Sequence, residues 1–310
     1  MKIFWDVQTV TEQIASPVVT MGNFDGVHAG HQALFRRIHH RAKEIGGTSC
    51  VITFDPHPQK VLFPDQELFL LNHLEEKIEI IQAHGIDLLF CLPFTREFAA
   101  QDPVKFVKDV LVDILRVREI YIGYDGRFGH GRNGSPEMLA QLGKDYGFHV
   151  TILPPVIQDN MVVSSTKIRQ FLQDGEVEHA AALLNRPYAL DGTVVYGTQR
   201  GSQLLGFPTA NVDVIHELIP KRGVYVCHVR WKQQTFQAVV NIGINPTFSN
   251  SPLTVEAHLL DFDGNLYGEW IQVLFLTRLR DEIAFTSPQA LAAQIGADVD
   301  SARQYFLLRQ

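Results

Sequence analysis

Two histidines three residues apart, His28 and His31, stand inside the glycine-rich run Gly22-Asn23-Phe24-Asp25-Gly26-Val27-His28-Ala29-Gly30-His31. The run separates the strand-like Val18-Val19-Thr20-Met21 from a segment in which Leu34, Phe35, Ile38, Ala42 and Ile45 recur at helical spacing. A glycine-rich loop at a helix start brings backbone N–H groups and the positive end of the helix dipole against an anion. Phosphoryl and nucleotidyl transfer need mainly alignment and stabilisation of charge on phosphate oxygens, which two imidazole donors can supply. The same residues also fit a turn that contains two histidines, or half of a metal site, and the spacing alone leaves these readings open.

Other segments carry weaker signals of the same kind. Ser164-Ser165-Thr166-Lys167-Ile168-Arg169 places hydroxyls at a helix start ahead of two cations, the make-up of a polyphosphate clamp, although capping alone explains Ser165 or Thr166. Gly129-His130-Gly131-Arg132-Asn133-Gly134 matches a dinucleotide-binding pattern, but the preceding strand ends early, at Gly123, and Pro154-Pro155 stand where an acidic residue should follow the next strand. A dehydrogenase is therefore excluded, while Asp125, Arg127 or Arg132 can still reach a ligand from this loop. The Walker pattern is absent. In the second half, Arg200-Gly201 and Leu205-Gly206-Phe207-Pro208-Thr209-Ala210-Asn211 combine glycines with the neutral oxygens of Thr209 and Asn211, which suit a hard cation such as Mg²⁺. Glu256 interrupts the strand-like run Leu253 to Leu260. Facing a pocket, it would accept a proton from an attacking hydroxyl; on spacing alone a solvent-facing strand residue is the plainer explanation.

The elements that must position these residues differ between the halves. Strand-like segments at 18–21, 50–54, 88–92, 119–123 and 148–153 alternate with helical patterns, one of them opened by Asn72, one by Asp102-Pro103 and one by Ser135-Pro136. This alternation predicts a parallel sheet with its ligand site outside the carboxyl ends of the strands. After Pro187, β-rich segments near 189–197, 223–231, 235–243, 254–260 and 270–277 precede a helix after Ser287-Pro288. That half reads as a compact antiparallel barrel with a terminal helix. A length of 310 residues accommodates both.

Composition narrows the function classes. Lys+Arg is 27 against Asp+Glu 34, a net charge of −7, which argues against a general nucleic-acid or anionic-membrane binder. No apolar run approaches the ~20 residues of a membrane span. Asp6 follows Met1 to Trp5 before an apolar leader can form, so no secretory signal is expected. Cys50, Cys91 and Cys227 are scattered in apolar segments, as in a reducing cytoplasm.

Taken in order, Gly22 to His31, Thr53-Phe54-Asp55-Pro56-His57-Pro58, Phe94 to Val107, Gly123 to Gly134 and Ser164 to Arg169 resemble the adenylyltransferase module of bacterial bifunctional riboflavin kinase/FMN adenylyltransferases, the FAD synthetases. Arg200-Gly201, Gly206 to Asn211, Gly223-Val224-Tyr225, Asn241 to Phe248, Val255-Glu256 and Asp261 to Gly268 resemble the riboflavin kinase module. The resemblance implies an α/β chain: a Rossmann-like nucleotidylyltransferase domain over 1–186, then a six-stranded antiparallel β-barrel with a terminal helix over 187–310. It implies ATP-dependent conversion of riboflavin to FMN and of FMN to FAD, with Mg²⁺.

By the same resemblance, His28 and His31 stabilise the transition state of adenylyl transfer, within an ATP-phosphate loop formed by Gly22, Asn23, Phe24, Asp25 and Gly30. Ser164, Ser165, Thr166 and Arg169 hold the outer phosphates, and Asp125 and Phe128 line the flavin side. In the kinase module Gly206, Pro208, Thr209 and Asn211 form the ATP site, Thr209 and Asn211 serve Mg²⁺, and Glu256 is the base. Arg278, Asp261 and Tyr267 flank the flavin.

One position departs from the family: Asp125-Gly126-Arg127-Phe128-Gly129 carries glycine where the family has an aromatic, which removes a pocket wall. This motivates an alternative, a riboflavin kinase with an impaired adenylyltransferase domain; a non-catalytic flavin or nucleotide sensor is the other. The expected ligands are riboflavin, FMN, FAD and ATP, with no nucleic acid or membrane partner, in a cytoplasmic monomer or weak homo-oligomer.

Overall fold

The computed structural model describes residues 1–196, 207–244 and 253–309. The chain divides into two compact units, Met1–Ser164 and Ser165–Gln310.

In the first unit, strands β1 (Lys2–Phe4), β2 (Pro17–Met21), β3 (Thr48–Asp55), β4 (Leu88–Pro93), β5 (Glu119–Gly123) and β6 (His149–Leu153) form one sheet in the order β1-β4-β3-β2-β5-β6. Every pairing is parallel. All five residues of β2 are buried, as in a strand covered on both faces. Alternate residues serve the two faces. Val19, Cys50, Ile52 and Phe90 pack into a core with Leu111 and Leu139. Val18, Val51, Leu89 and Tyr121 pack with Phe35, Ile38 and Ile81 on the other side.

Helices α1 (Ala29–Ile45), α2 (Pro58–Leu62), α3 (Leu74–Ala83), α4 (Arg96–Ala99), α5 (Pro103–Phe106) and α6 (Pro136–Tyr146) fill the connections, and α5 runs on as a wider π-helical stretch over Val107–Ile114. Asp102 and Ser135 cap α5 and α6 through their side chains, each with proline in the first turn, and Gly46 in the left-handed conformation (φ 64°) ends α1. A short hairpin of β7 (Ile157–Gln158) and β8 (Met161–Val162) follows the sheet.

Among the departures from the expectation, two concern the edge of the sheet and a helix cap. Edge strand β1 is an addition, and the cap of α3 is His73, whose side chain accepts from the Glu76 N–H. Asn72, expected to cap that helix, instead accepts from the Gly26 N–H at 2.9 Å.

The second unit opens with α7 (Ser165–Asp174) and α8 (Val177–Leu184). Strands β9 (Tyr188–Val195), β10 (Ala210–Val214), β11 (Gly223–Trp231), β12 (Gln234–Ile244), β13 (Leu253–Leu259) and β14 (Trp270–Arg280) close a barrel in the order β10-β13-β12-β11-β14-β9, and α9 (Pro288–Leu307) ends the unit. All its pairings are antiparallel. Tyr225, Cys227, Val229, Ala238, Val240, Ile242 and Ala257 are fully buried and fill the interior. Their neighbours of opposite parity, Val224, Val226 and Val239, face outward and pack with Val299, Ala302 and Phe306 of α9. Arg280 clamps the helix, donating from Nε to Asp298 Oδ1 at 2.9 Å and from a terminal nitrogen to Oδ2 at 2.6 Å.

Candidate active sites

In the first unit the strand order reverses around β2, whose neighbours are β3 and β5. A crevice at the carboxyl ends of such strands is the ligand position of doubly wound sheets. The Gly22–His31 loop leaves β2 there, and the loop carrying Asp125 leaves β5. Several hydrogen bonds fix the first loop. The Gly22 N–H donates to the Ile52 carbonyl at 3.0 Å. Asp25 Oδ1 accepts from the Leu71 N–H at 3.0 Å, and Thr53 Oγ1 donates to the Asn23 carbonyl at 3.2 Å. Phe24 adopts a left-handed conformation (φ 50°) and is buried.

His28 caps α1: its Nδ1 accepts from the His31 N–H at 3.4 Å. An accepting Nδ1 leaves the proton on Nε2, so the ring presents a donor through its other nitrogen. Gly30 leaves room for that ring. The His28 and His31 rings stack with centroids 3.5 Å apart, and Phe24 meets His31 edge-on at 5.1 Å. Burial, then the neighbouring His28 and Lys77, hold the His31 imidazole well below its ordinary pKa. Its Nδ1 is buried with no hydrogen-bond partner among the described residues. An arriving phosphate would reverse the balance, since an anion favours the protonated ring.

Lys77 belongs to the same cluster and was not singled out by its motif. It is buried, its ammonium is pushed down by desolvation, and the nearby Asp25 and Asp55 carboxylates oppose that shift. A legible signal existed: Lys77 occupies the apolar stripe formed by Leu74, Ile78 and Ile81.

In the second loop, the Gly126 N–H closes a turn on the Gly123 carbonyl at 3.0 Å. A Cβ at Gly126 would lie 2.5 Å from Ile122 Cγ1, so Ile122 occupies the space an aromatic would need. Asp125 is exposed. Phe128 is buried in the core beside Phe106 at 6.3 Å and bridges to Gly134. Ser164 ends the first unit, whereas Ser165, Thr166 and Arg169 lie on the opening turns of α7 in the second. Lys167 donates to Gln170 at 3.2 Å and lies 4.6 Å from the Phe171 ring.

In the barrel, Asn211, Glu256 and Asn241 stand in direct register on β10, β13 and β12. Their parity places all three on the outer face, opposite to Val212, Val255 and Ile242. Burial, then the Glu282 carboxylate, raises the Glu256 pKa. Glu282, another residue without a sequence signal, packs against Gly243: a Cβ there would meet its Oε1 at 2.1 Å. Arg222 lies 4.0 Å from the same carboxylate. Thr209 directly precedes β10, and the Pro208 carbonyl accepts from His258 Nδ1 at 2.8 Å.

The three flavin candidates of this unit have separate settings. Arg278 donates to the Arg222 carbonyl and to Asp281, both at 2.6 Å, above the Tyr225 ring. Asp261 pairs with Arg303 of α9 at 2.6 Å. Tyr267 stacks on Tyr196 at 4.0 Å. Gly206, with Arg200-Gly201 and Asn245 to Phe248, lies outside the described residues.

A doubly wound nucleotide-binding sheet with a histidine pair at its switch point, joined to a closed barrel with a carboxylate between two amides, defines a two-domain transferase. Residues 10–167 match the FAD synthetase family and residues 184–306 the riboflavin kinase family. The Escherichia coli bifunctional riboflavin kinase/FMN adenylyltransferase is 38% identical over 290 residues, covering 93% of this chain and 92% of that protein. Its Haemophilus influenzae namesake is 34% identical over 307 residues, 99% of each. A solved structure described as a macrolide-efflux protein from Streptococcus pneumoniae has TM-score 0.87 and 31% identity, covering 97% of this chain and 98% of that one. Among the described residues, no helix is long and apolar enough to cross a membrane. The chain belongs to the bifunctional riboflavin kinase/FMN adenylyltransferase family.

Proposed function

We propose that the C-terminal domain phosphorylates riboflavin to FMN with ATP, and that the N-terminal domain joins FMN to the adenylyl group of a second ATP, giving FAD and pyrophosphate. Residues 1–186 are taken as the adenylyltransferase domain and 187–310 as the kinase domain. The FAD synthetase match ending at residue 167 and the riboflavin kinase match starting at residue 184 support that division. The observation that carries the reading is that each matched region holds its own cluster suited to its own reaction.

In the kinase step, Glu256 accepts the proton of the terminal ribityl hydroxyl as that oxygen attacks the γ-phosphorus and ADP leaves. A raised carboxylate pKa makes it a better base near neutral pH. Thr209 and Asn211 offer hard oxygens next to this carboxylate, a donor set that fits Mg²⁺. The cation would supply neutralisation of the phosphate charge.

In the second step, an FMN phosphate oxygen attacks the α-phosphorus of ATP and pyrophosphate departs. His28 and His31 donate to the oxygens that gain charge, and the hydroxyls of Ser164, Ser165 and Thr166 with Arg169 hold the outer phosphates. No covalent enzyme intermediate is required, so positioning and electrostatics carry the rate. Gly126 does not argue for a kinase alone, because Ile122 already fills the space beside it. The buried, unpaired cysteines agree with a cytoplasmic setting.

A time course with riboflavin, ATP and Mg²⁺ tests the reading. FMN should rise first and FAD should follow. FMN accumulating without FAD leaves only the kinase, and absence of both products overturns the proposal.

A further inference from the structure

His258 lies two residues beyond Glu256 on β13, and so on the same outer face of the barrel. Its Nδ1 donates to the Pro208 carbonyl at 2.8 Å, and its ring meets Phe207 edge-on at 5.5 Å. Phe207 in turn packs into the apolar cluster under α9, where Gly296 leaves it room at 3.9 Å. Phe207-Pro208 is the segment that leads into Thr209 and Asn211. Among the described residues, its regular backbone pairing to β13 begins at Ala210, which is paired with Ala257. Thr209 precedes that first rung, and the imidazole extends the attachment by one side-chain bond.

We propose that His258 is a positioning residue of the kinase centre, tying the segment that carries Thr209 and Asn211 to the strand that carries Glu256. The inference rests on the assignment of riboflavin phosphorylation to the barrel. With the bond in place, the proton acceptor and the phosphate-side oxygens are held by one strand. Without the imidazole, the Phe207–Thr209 segment loses this bond and the edge-on ring contact together, and among the described residues it keeps its packing under α9. The ring nitrogen concerned is Nδ1, which the amide nitrogen of asparagine reproduces and an alanine side chain does not.

The test uses the full-length enzyme and three measurements: KM for ATP and kcat in riboflavin phosphorylation, FMN adenylylation, and the thermal unfolding transition. His258→Ala should raise KM for ATP roughly three- to tenfold, the scale of one lost hydrogen bond, with a smaller change in kcat. It also removes the Phe207 ring contact, and the asparagine variant, which restores the donor without the ring, separates the two. FMN adenylylation and the unfolding transition should stay at their wild-type values. His258→Asn should return KM to within about twofold of wild type, as expected when one comparable donor replaces another. A wild-type enzyme that makes no FMN removes the kinase reading and this inference with it. Where wild type makes FMN, three results overturn the inference alone: an unchanged KM in His258→Ala, equal impairment of the alanine and asparagine variants, or a lowered unfolding transition that accompanies the loss.

Discussion

Glu256 stands directly opposite Asn211 on one neighbouring strand and Asn241 on the other, so a carboxylate is held between two amides on the outer wall of the barrel. Paired antiparallel residues have Cα atoms about 5 Å apart. The Glu256 carboxylate and the Asn211 amide are therefore spaced by the sheet itself. On the roles proposed above, loops need only bring the two substrates to that spacing.

Glu256→Gln keeps the shape and removes the base. Riboflavin phosphorylation should fall about 10²- to 10⁴-fold, the usual worth of general-base catalysis. FMN adenylylation, followed separately with FMN and ATP, should not change. Equal loss of both would show that the roles are assigned to the wrong domains.

Replacing His28 and His31 together by alanine should do the reverse. FAD formation should drop by about 10²-fold or more, as when donors to a developing charge are removed, while FMN formation persists. The buried His31 also makes stability depend on pH. Its folded pKa is lowered by burial, so below about 6.5, the unfolded reference, the unfolded chain binds the proton first. The contribution of a neutral His31 is complete above that pH and is lost as pH falls toward the folded pKa. Thermal melts from pH 8 to pH 5 should decline less in His31→Ala than in wild type.

Gly126→Phe should not restore a family-like pocket. The new side chain starts 2.5 Å from Ile122 Cγ1, and overpacking of this kind costs about 1–3 kcal/mol. The melting temperature should fall, and adding Ile122→Ala should recover part of it. A stable, fully active single variant would show that Ile122 yields easily.

Asp298→Ala should free α9 from the barrel. Arg280 loses all three of its bonds to that buried carboxylate, a change worth about 3–5 kcal/mol when a buried pair is broken on one side. Because Phe207 packs with residues of α9, riboflavin phosphorylation should weaken along with the unfolding transition. An unaltered melt would mean that the apolar contacts of α9 suffice.

Much of this architecture was legible in the residues. The segments read as strands from Val18 to Leu153 coincide with β2 to β6, and Asp102-Pro103 and Ser135-Pro136 open helices as their chemistry requires. The strands with no clear sequence signal are short. β1 is a three-residue edge strand, and β10 has only Val212 and Val214 as strong strand formers, behind a proline. Asn72 fitted a capping pattern, yet the loop from another part of the chain, at Gly26, took its oxygen.

The site divides in the same way. His28, His31, Thr209, Asn211 and Glu256 belong to local motifs, so their types and order were readable. Lys77 and Glu282 reach their clusters through tertiary packing, which a local pattern does not record. Lys77 at least left a trace, as a charge on the apolar stripe of its helix.

Arg41 and Glu119 are joined by a fork of hydrogen bonds, from Nε to both oxygens at 3.0 Å and from a terminal nitrogen at 2.8 Å, and the Tyr121 hydroxyl donates to the same carboxylate at 3.1 Å. Helix α1 starts at the histidine loop and β5 ends at the Asp125 loop, so this fork ties the two rims at the far end from the crevice. It acts as a fulcrum. Thirteen residues of helix make a lever arm of about 20 Å, and a tilt of about 1° at the fork would carry His28 by roughly 0.3 Å. Substitutions around Arg41 can therefore shift the His28 imidazole from about 20 Å away along the helix.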